Sequence, residues 1–259
     1  MDPQSMSHYH VHDTDPTLFM ENFFSTSSDR KIYEELVGYP IKVLTRLFSS
    51  GAIKGQHMIE VSVGPAFYHL IPICEYFEEI SVLEFSNVFV KELEAWKNKK
   101  EEAFDWLHSS QFVSHLAGDC KKWKEKEEML RRKIKRILKC DLSKENVTDP
   151  VVLPEADCLL CLLVINNISE DHDSLRSNVR KLSSSLKQGG RLLMFGAYNA
   201  SHYTVADQKF HLLSFDEPTL RETLEDAGFV IQAHETLKSQ IQNDILHYEY
   251  LWFVMANKQ

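Results

Sequence analysis

Apolar positions from Pro16 to Leu47, among them Leu18, Phe19, Phe23, Ile32, Leu36, Val43, Leu44 and Leu47, recur at helical spacing and predict a helical cap over 16–50. The pattern then changes period. Gly51 and Gly55 precede a short apolar strand at Met58–Ser62, and Ala66–Glu75 reads as the first crossover helix. Ile80–Leu83 predicts a second strand, followed by an amphipathic helix containing Val90, Leu93 and Trp96. Residues 121–139 are dense in both charge signs around a stripe of Met129, Ile134, Ile137 and Leu138, which predicts a long helix running into a third strand at Lys139–Leu142.

Residues 157–165 are almost continuously apolar, as a parallel strand buried on both faces should be. Next come a helix over 174–187 ended by Gly189-Gly190, a fifth strand at Arg191–Phe195, and a helix over 218–227 ended by Gly228. Strands at Phe229–His234 and Tyr248–Ala256, with no helical pattern between them, predict a closing hairpin. The sum is an α/β fold: a doubly wound, seven-stranded, Rossmann-like sheet of five parallel strands and a terminal antiparallel hairpin, under an N-terminal helical cap.

The 259-residue length suits one domain over 16–259, with a mobile polar tail before it. In that tail His8, His10 and His12 alternate, a spacing able to bind a metal adventitiously, though a mobile tail is the favoured reading. A net charge of −9 opposes contact with nucleic-acid phosphates. With no long apolar run and no leader-like start, the sequence predicts a cytoplasmic monomer that avoids membranes. The five cysteines are an odd number in mostly apolar settings, and Cys158 and Cys161, though spaced CxxC, lie inside the predicted fourth strand; all read as reduced thiols.

Candidate chemistry gathers where the strands end. Ile59–Pro65 reads as a buried strand entering a tight turn, the place where α/β folds seat the polar part of a nucleotide-like ligand. Glu84 follows Gly64 by 20 residues, an interval that suits a carboxylate accepting from both ribose hydroxyls; an ordinary strand-end acid is the alternative. Asp141 ends the third strand, where it either meets an adenine amine or caps the following turn.

Gly64-Pro65 with Tyr68, Glu92-Leu93-Glu94-Ala95-Trp96, Glu102–Trp106, Glu127–Arg131, Lys139-Cys140-Asp141, Leu153–Cys158 and Ser185–Gly190 stand in order along nearly the whole chain. In these the sequence resembles the nicotinamide, indolethylamine and phenylethanolamine N-methyltransferases and the thioether methyltransferase, which are class I S-adenosylmethionine-dependent enzymes. The resemblance implies S-adenosyl-L-methionine as cofactor. Tyr68 would meet its methionyl end, Glu84 its ribose and Phe85 an adenine face, with Asp141 and Leu142 beside the ring.

Departures cluster on the same site. Glu60-Val61-Ser62-Val63-Gly64-Pro65 lacks the first glycine of the family motif. Phe19 and Phe24 stand for two tyrosines, Phe89 for an asparagine and Leu162 for a threonine. On the acceptor side, Asn166 and Gly196 stand where the nicotinamide enzyme has carboxylates, leaving Tyr203, His202, His211 and Asn167 as polar wall candidates.

Together these features predict methyl transfer to a nitrogen of a small amine or N-heterocycle by in-line displacement, without a dedicated catalytic side chain or a metal. A methyltransferase fold with a degraded cofactor site, serving as a binding or structural protein, is the alternative. An NAD-dependent oxidoreductase fits the acid after the second strand but lacks the G-x-G-x-x-G turn.

Overall fold

A computed structural model describes residues 14–25, 27–116 and 122–259. The tail histidines expected to bind metal only adventitiously lie outside these residues, and among the described ones no cluster suited to a metal occurs. The cap begins with α1 (Pro16–Phe23), entered through Asp15, whose carboxylate accepts from the Thr17 and Leu18 amides, with Pro16 fixing the first turn. Asp29 caps α2 (Arg30–Tyr33) in the same way. A π-helical turn, Glu34–Gly38, then leads into α3 (Tyr39–Phe48).

The strands are β1 (Gly55–Ser62), β2 (Phe77–Glu84), β3 (Ile134–Lys139), β4 (Ala156–Leu162), β5 (Leu186–Tyr198), β6 (His202–Val205), β7 (Gln208–His211), β8 (Phe229–Lys238), β9 (Leu246–His247) and β10 (Tyr250–Lys258). The remaining helices are α4 (Asn87–Lys97), α5 (Leu107–Leu116), α6 (Trp123–Lys133), α7 (Ile165–Ile168), α8 (His172–Ser184) and α9 (Glu217–Asp226). Seven strands form one sheet in the order β3-β2-β1-β4-β5-β10-β8. The first five are parallel, and β10 runs antiparallel to both β5 and β8. The doubly wound sheet and its terminal hairpin are thus as the periodicity predicts. The order reverses between β1 and β4, so their carboxyl ends open a crevice beneath the cap.

Four expectations need correction. Ala66–Glu75 is a series of tight turns ending in a short 3₁₀ segment rather than a crossover helix. Pro72 within it has no N–H to continue an α-helical ladder, and the whole stretch from Ala66 to Cys74 is buried, so it has no polar face to mark a helix. The charged helix of residues 121–139 stops at Lys133, because Ile134–Lys139 pairs with β2 as β3. Alternating charge hid that strand inside a helical pattern.

The glycine pair does not end α8, which stops at Ser184. It lies within β5, where Gly189 takes φ +73 and the six residues from Leu186 to Arg191 lie against only three of β4, Ala156 to Cys158. Finally, β6, β7 and β9 form a separate three-stranded sheet that the periodicity did not reveal. Its strands are only two to four residues long, too short to show alternation.

Candidate functional site: two cavities at the switch point

Hydrogen bonds continue past the ends of the strands and hold the floor of the crevice. The Val63 amide donates to Leu162 O (3.1 Å), and the Leu163 amide to Phe195 O (3.0 Å). Leu162 and Ser62, both buried, face each other in register at this edge. Gly64 turns the chain at φ +77, a conformation open to glycine at little cost, and Leu163 holds φ +55 without that freedom. Below the turn, the fully buried His69 Nε2 and Glu60 Oε1 lie 2.8 Å apart. This pair carried no signal in the sequence, where His69 sits in an otherwise apolar run.

On the β2–β3 side a cavity of about 330 Å³ is lined by Phe85, Cys140, Asp141, Leu142, Asn178 and neighbouring residues. Glu84 ends β2 next to it and is almost wholly buried. One of its carboxylate oxygens accepts from the Phe85 amide (2.6 Å) and the Ser86 amide (2.8 Å), which fixes the carboxylate at the strand end. Asp141 accepts from the Ser143 amide (3.0 Å) and hydroxyl (2.6 Å), and these bonds hold its carboxyl below the usual range. It therefore caps the turn while also lining the cavity. Phe85 and Leu142 both line this cavity, and the Glu84 carboxyl oxygens beside it are acceptors for a diol. The described residues therefore fit the adenosine half of the expected cofactor.

The β1–β4 side is different. Phe19 and Phe24 from α1 and its exit cover the Gly64 turn so closely that a Cβ built on Gly64 would collide with the Phe19 ring and lie 3.2 Å from Phe24. Phe89, in the first turn of α4, is 5.3 Å from Phe19 between ring centroids, and Phe24 is 5.5 Å from Tyr68. The Tyr68 hydroxyl, wholly buried, donates to Leu36 O at 2.9 Å, and burial keeps it un-ionised. Phe19, Phe24 and Phe89 thus put rings without hydroxyls around the Gly64 turn.

Behind these rings lies a cavity of about 50 Å³, lined by Phe19, Phe23, Val63, Leu163, Asn166, Asn167, Tyr203, Tyr248 and further apolar side chains, none of the described lining residues being charged. Tyr203 stacks on Phe210 at 4.9 Å. Its hydroxyl is buried, with the Asn167 side chain beside it but outside hydrogen-bond geometry, and burial raises its pKa.

Asn166 lines the cavity but spends its amide elsewhere. Its Nδ2 donates to Ala197 O (2.9 Å) and Leu213 O (2.8 Å), and its Oδ1 accepts from the Ala197 amide (3.1 Å). Gly196 is not in the cavity wall. The Trp252 indole occupies the space a side chain there would need. His202 and His211 face each other across β6 and β7, away from the cavity lining.

Sequence reasoning missed Phe23, Leu36 and Tyr248 as cavity residues. It also missed Glu35, a buried carboxylate that accepts from the Tyr248 hydroxyl (2.8 Å) and the Gln240 amide (2.6 Å). These contacts span more than 200 residues, so no local spacing could mark them.

The topology, with its cleft at the switch point, is that of the class I methyltransferases. Among solved structures, the magnesium protoporphyrin IX methyltransferase of Synechocystis PCC 6803 with bound SAM superposes with a TM-score of 0.62 at 13% identity, covering 100% of this chain and 98% of that one. The N-methyltransferase NodS of Bradyrhizobium japonicum WM9, in complex with S-adenosyl-L-homocysteine, gives 0.54 at 12% identity over 93% and 96%. Residues 4–259 match the NNMT/PNMT/TEMT family model, and the chain belongs to that family. Human nicotinamide N-methyltransferase is 31% identical over 98% of this chain and 94% of its own length. Rabbit (Oryctolagus cuniculus) indolethylamine N-methyltransferase is 32% identical over 84% and 82%.

Proposed function

We propose that this chain is an S-adenosylmethionine-dependent methyltransferase acting on a nitrogen of a small amine or N-heterocycle. The observation that carries the reading is the cavity lined by Phe85 and Asp141 beside Glu84, at the strand ends of a sheet that also bears an apolar cavity lined by Asn166, Asn167 and Tyr203. Membership of the NNMT/PNMT/TEMT family over residues 4–259, and relatives named as N-methyltransferases, support the same chemistry.

The bound cofactor supplies a methyl group on a sulfonium, ready for attack by a nitrogen lone pair. The protein supplies position and dryness. Glu84 holds the sugar and fixes the long axis of the cleft, while Phe85 and Leu142 bracket the base. Phe19, Phe23 and Phe24 cover the crevice and exclude water, so the acceptor nitrogen is desolvated as it reaches the Gly64 edge.

Among the described residues no imidazole, carboxylate or amine lines the small cavity, and burial raises the Tyr203 pKa so that its hydroxyl stays protonated. The acceptor must therefore arrive with its lone pair free. A pyridine-like nitrogen meets that condition at neutral pH, whereas an aliphatic ammonium must first lose its proton to water.

Titration calorimetry with S-adenosylmethionine and S-adenosylhomocysteine, paired with a radiolabelled methyl-transfer assay over N-heterocycles and amines, tests the reading. Micromolar binding that Glu84→Gln weakens, with turnover of at least one heterocycle, supports it. No binding at millimolar ligand by protein that melts cooperatively refutes it.

A further inference from the structure

The small β6-β7-β9 sheet forms one wall of the apolar cavity, and its two faces differ in chemistry. Strand alternation turns Tyr203, Val205, Phe210 and Leu246 inward, all of them buried, and Tyr203 and Leu246 line the cavity. The outer face carries His202, in register with His211 on β7 and with His247 on β9, and Thr204, in register with Lys209. Strand β9 is only two residues long. Backbone bonds from the Ser201 amide to His247 O (3.1 Å) and from the Thr204 amide to Ile245 O (2.7 Å) tie its segment to β6.

Side chains complete this seam. The Ser201 hydroxyl lies 2.8 Å from His202 Nδ1 and 3.1 Å from His247 Nδ1, and the two imidazoles stack nearly parallel with centroids 6.1 Å apart. His202 Nε2 lies 3.3 Å from Asp244 O, which can only accept, so that nitrogen carries the hydrogen and the neutral ring offers Nδ1 as an acceptor. The Ser201 hydroxyl donates to it, and the Ser201 oxygen accepts in turn from His247 Nδ1. Protonating His247 at Nε2 leaves this chain of bonds intact. Protonating His202 at Nδ1 ends the bond donated by Ser201 and sets two cations face to face beside Lys209.

We infer that Ser201, His202 and His247 form a proton-sensitive latch on the cavity wall, closed while His202 is neutral and released at mildly acidic pH, when β9 parts from β6 and takes Leu246 out of the wall. The latch regulates access to the acceptor side, and only that consequence rests on the proposed reading of the cavity. Burial first, then Lys209 and His247, hold the His202 pKa below the ordinary imidazole value, against the carbonyl and carboxylate of Asp244. His211 faces the ring from β7, and Glu249, two residues beyond His247, accepts from Asn199 (2.7 Å). With its folded pKa lowered, His202 takes a proton first in the opened segment. The latch is therefore fully closed above the pKa of the opened form and yields as pH falls through that of the closed one.

Hydrogen exchange of the full chain, read by mass spectrometry from pH 7.5 to 5.5, tests the latch. Rates are divided by the intrinsic rate at each pH, and β1 and β4 serve as the internal reference. The expected result is that protection over residues 201–204 and 245–247 falls threefold or more relative to that reference. His202→Gln, which cannot gain a proton, should remove most of the fall. Ser201→Ala should lower protection at pH 7.5 toward the wild-type value at pH 5.5.

A fall of less than threefold, or one that His202→Gln leaves intact, overturns the inference. Should that variant not fold, the His202 Cε1 proton resonance of the wild-type chain decides: it must titrate in step with the loss of protection, and titration out of step overturns the latch. Either failure leaves the proposed function standing, because cofactor binding and methyl transfer are read separately at pH 7.5.

Discussion

Replacing Asn166 separates its two possible roles. Its amide makes three hydrogen bonds, to Ala197 O, Leu213 O and the Ala197 amide, and the residue is 2% exposed. Each such bond contributes a net 0.5–1.5 kcal/mol or so, and each backbone group left buried without a partner costs about 1–3 kcal/mol. The adjoining cavity of about 50 Å³ can admit a water to satisfy some of them. Asn166→Ala should therefore cost ~3 kcal/mol, which in a chain of this size lowers Tm by roughly 6–12 °C.

Asn166→Asp keeps the shape but turns two donated bonds into a carboxylate facing two carbonyl oxygens. That repulsion and the burial raise its folded pKa above the unfolded value, so the folded state binds the extra proton. The variant's deficit should be smallest below the unfolded pKa and grow as pH rises toward the folded one. Differential scanning fluorimetry from pH 4 to 8 reads both effects. An Asn166→Asp protein melting within 1 °C of wild type at pH 7.5, or one whose deficit shrinks as pH rises, would refute the clamp. Under an acceptor-contact role instead, Tm would stay fixed and only KM would move.

Three further outcomes are expected. His57 is buried between Pro154 O (3.1 Å) and Ser81 Oγ (2.9 Å), and burial lowers its pKa below the ordinary imidazole value. The unfolded chain therefore binds its proton first, and this contribution to stability, full above the unfolded pKa, is lost as pH falls through the folded pKa; His57→Gln should flatten the melting curve's dependence between pH 7.5 and 5. Burial pushes the thiols of Cys74, Cys140 and Cys158 up to about 12 and raises that of Cys161 as well, so mass-mapped alkylation at pH 8 should leave all four unmodified in the native protein and label them in denaturant. Glu35→Ala removes the acceptor shared by Tyr248 and Gln240 and leaves a buried hydroxyl without a partner; a loss of about 3 kcal/mol in denaturant melts is expected, with Glu35→Gln losing less because it can still accept.

By itself the sequence determined the main sheet, though not the small β6-β7-β9 sheet. The apolar run beginning at Ala156 reads as a strand buried on both faces, and the dozen or so residues between the last two strands show no clear helical pattern, so five parallel strands and a hairpin followed. It also placed Glu84 at the end of β2 and Gly64 at the turn after β1, because strand ends and glycine turns are local features. The tertiary structure alone decided what those residues meet. Phe19 and Gly64 are 45 positions apart, and nothing in either segment says that one ring closes over the other turn.

The same holds for Asn166, which reads as a wall residue until Ala197 and Leu213 bring three backbone groups to its amide. It holds for Gly196 too, a vacant position in the sequence and a seat for Trp252 in the fold. Periodicity records which face of an element is buried, whereas the partner on that face is set by packing among elements distant in sequence. That is why the sheet was legible in the chain, and why the rings packed over the Gly64 turn were not.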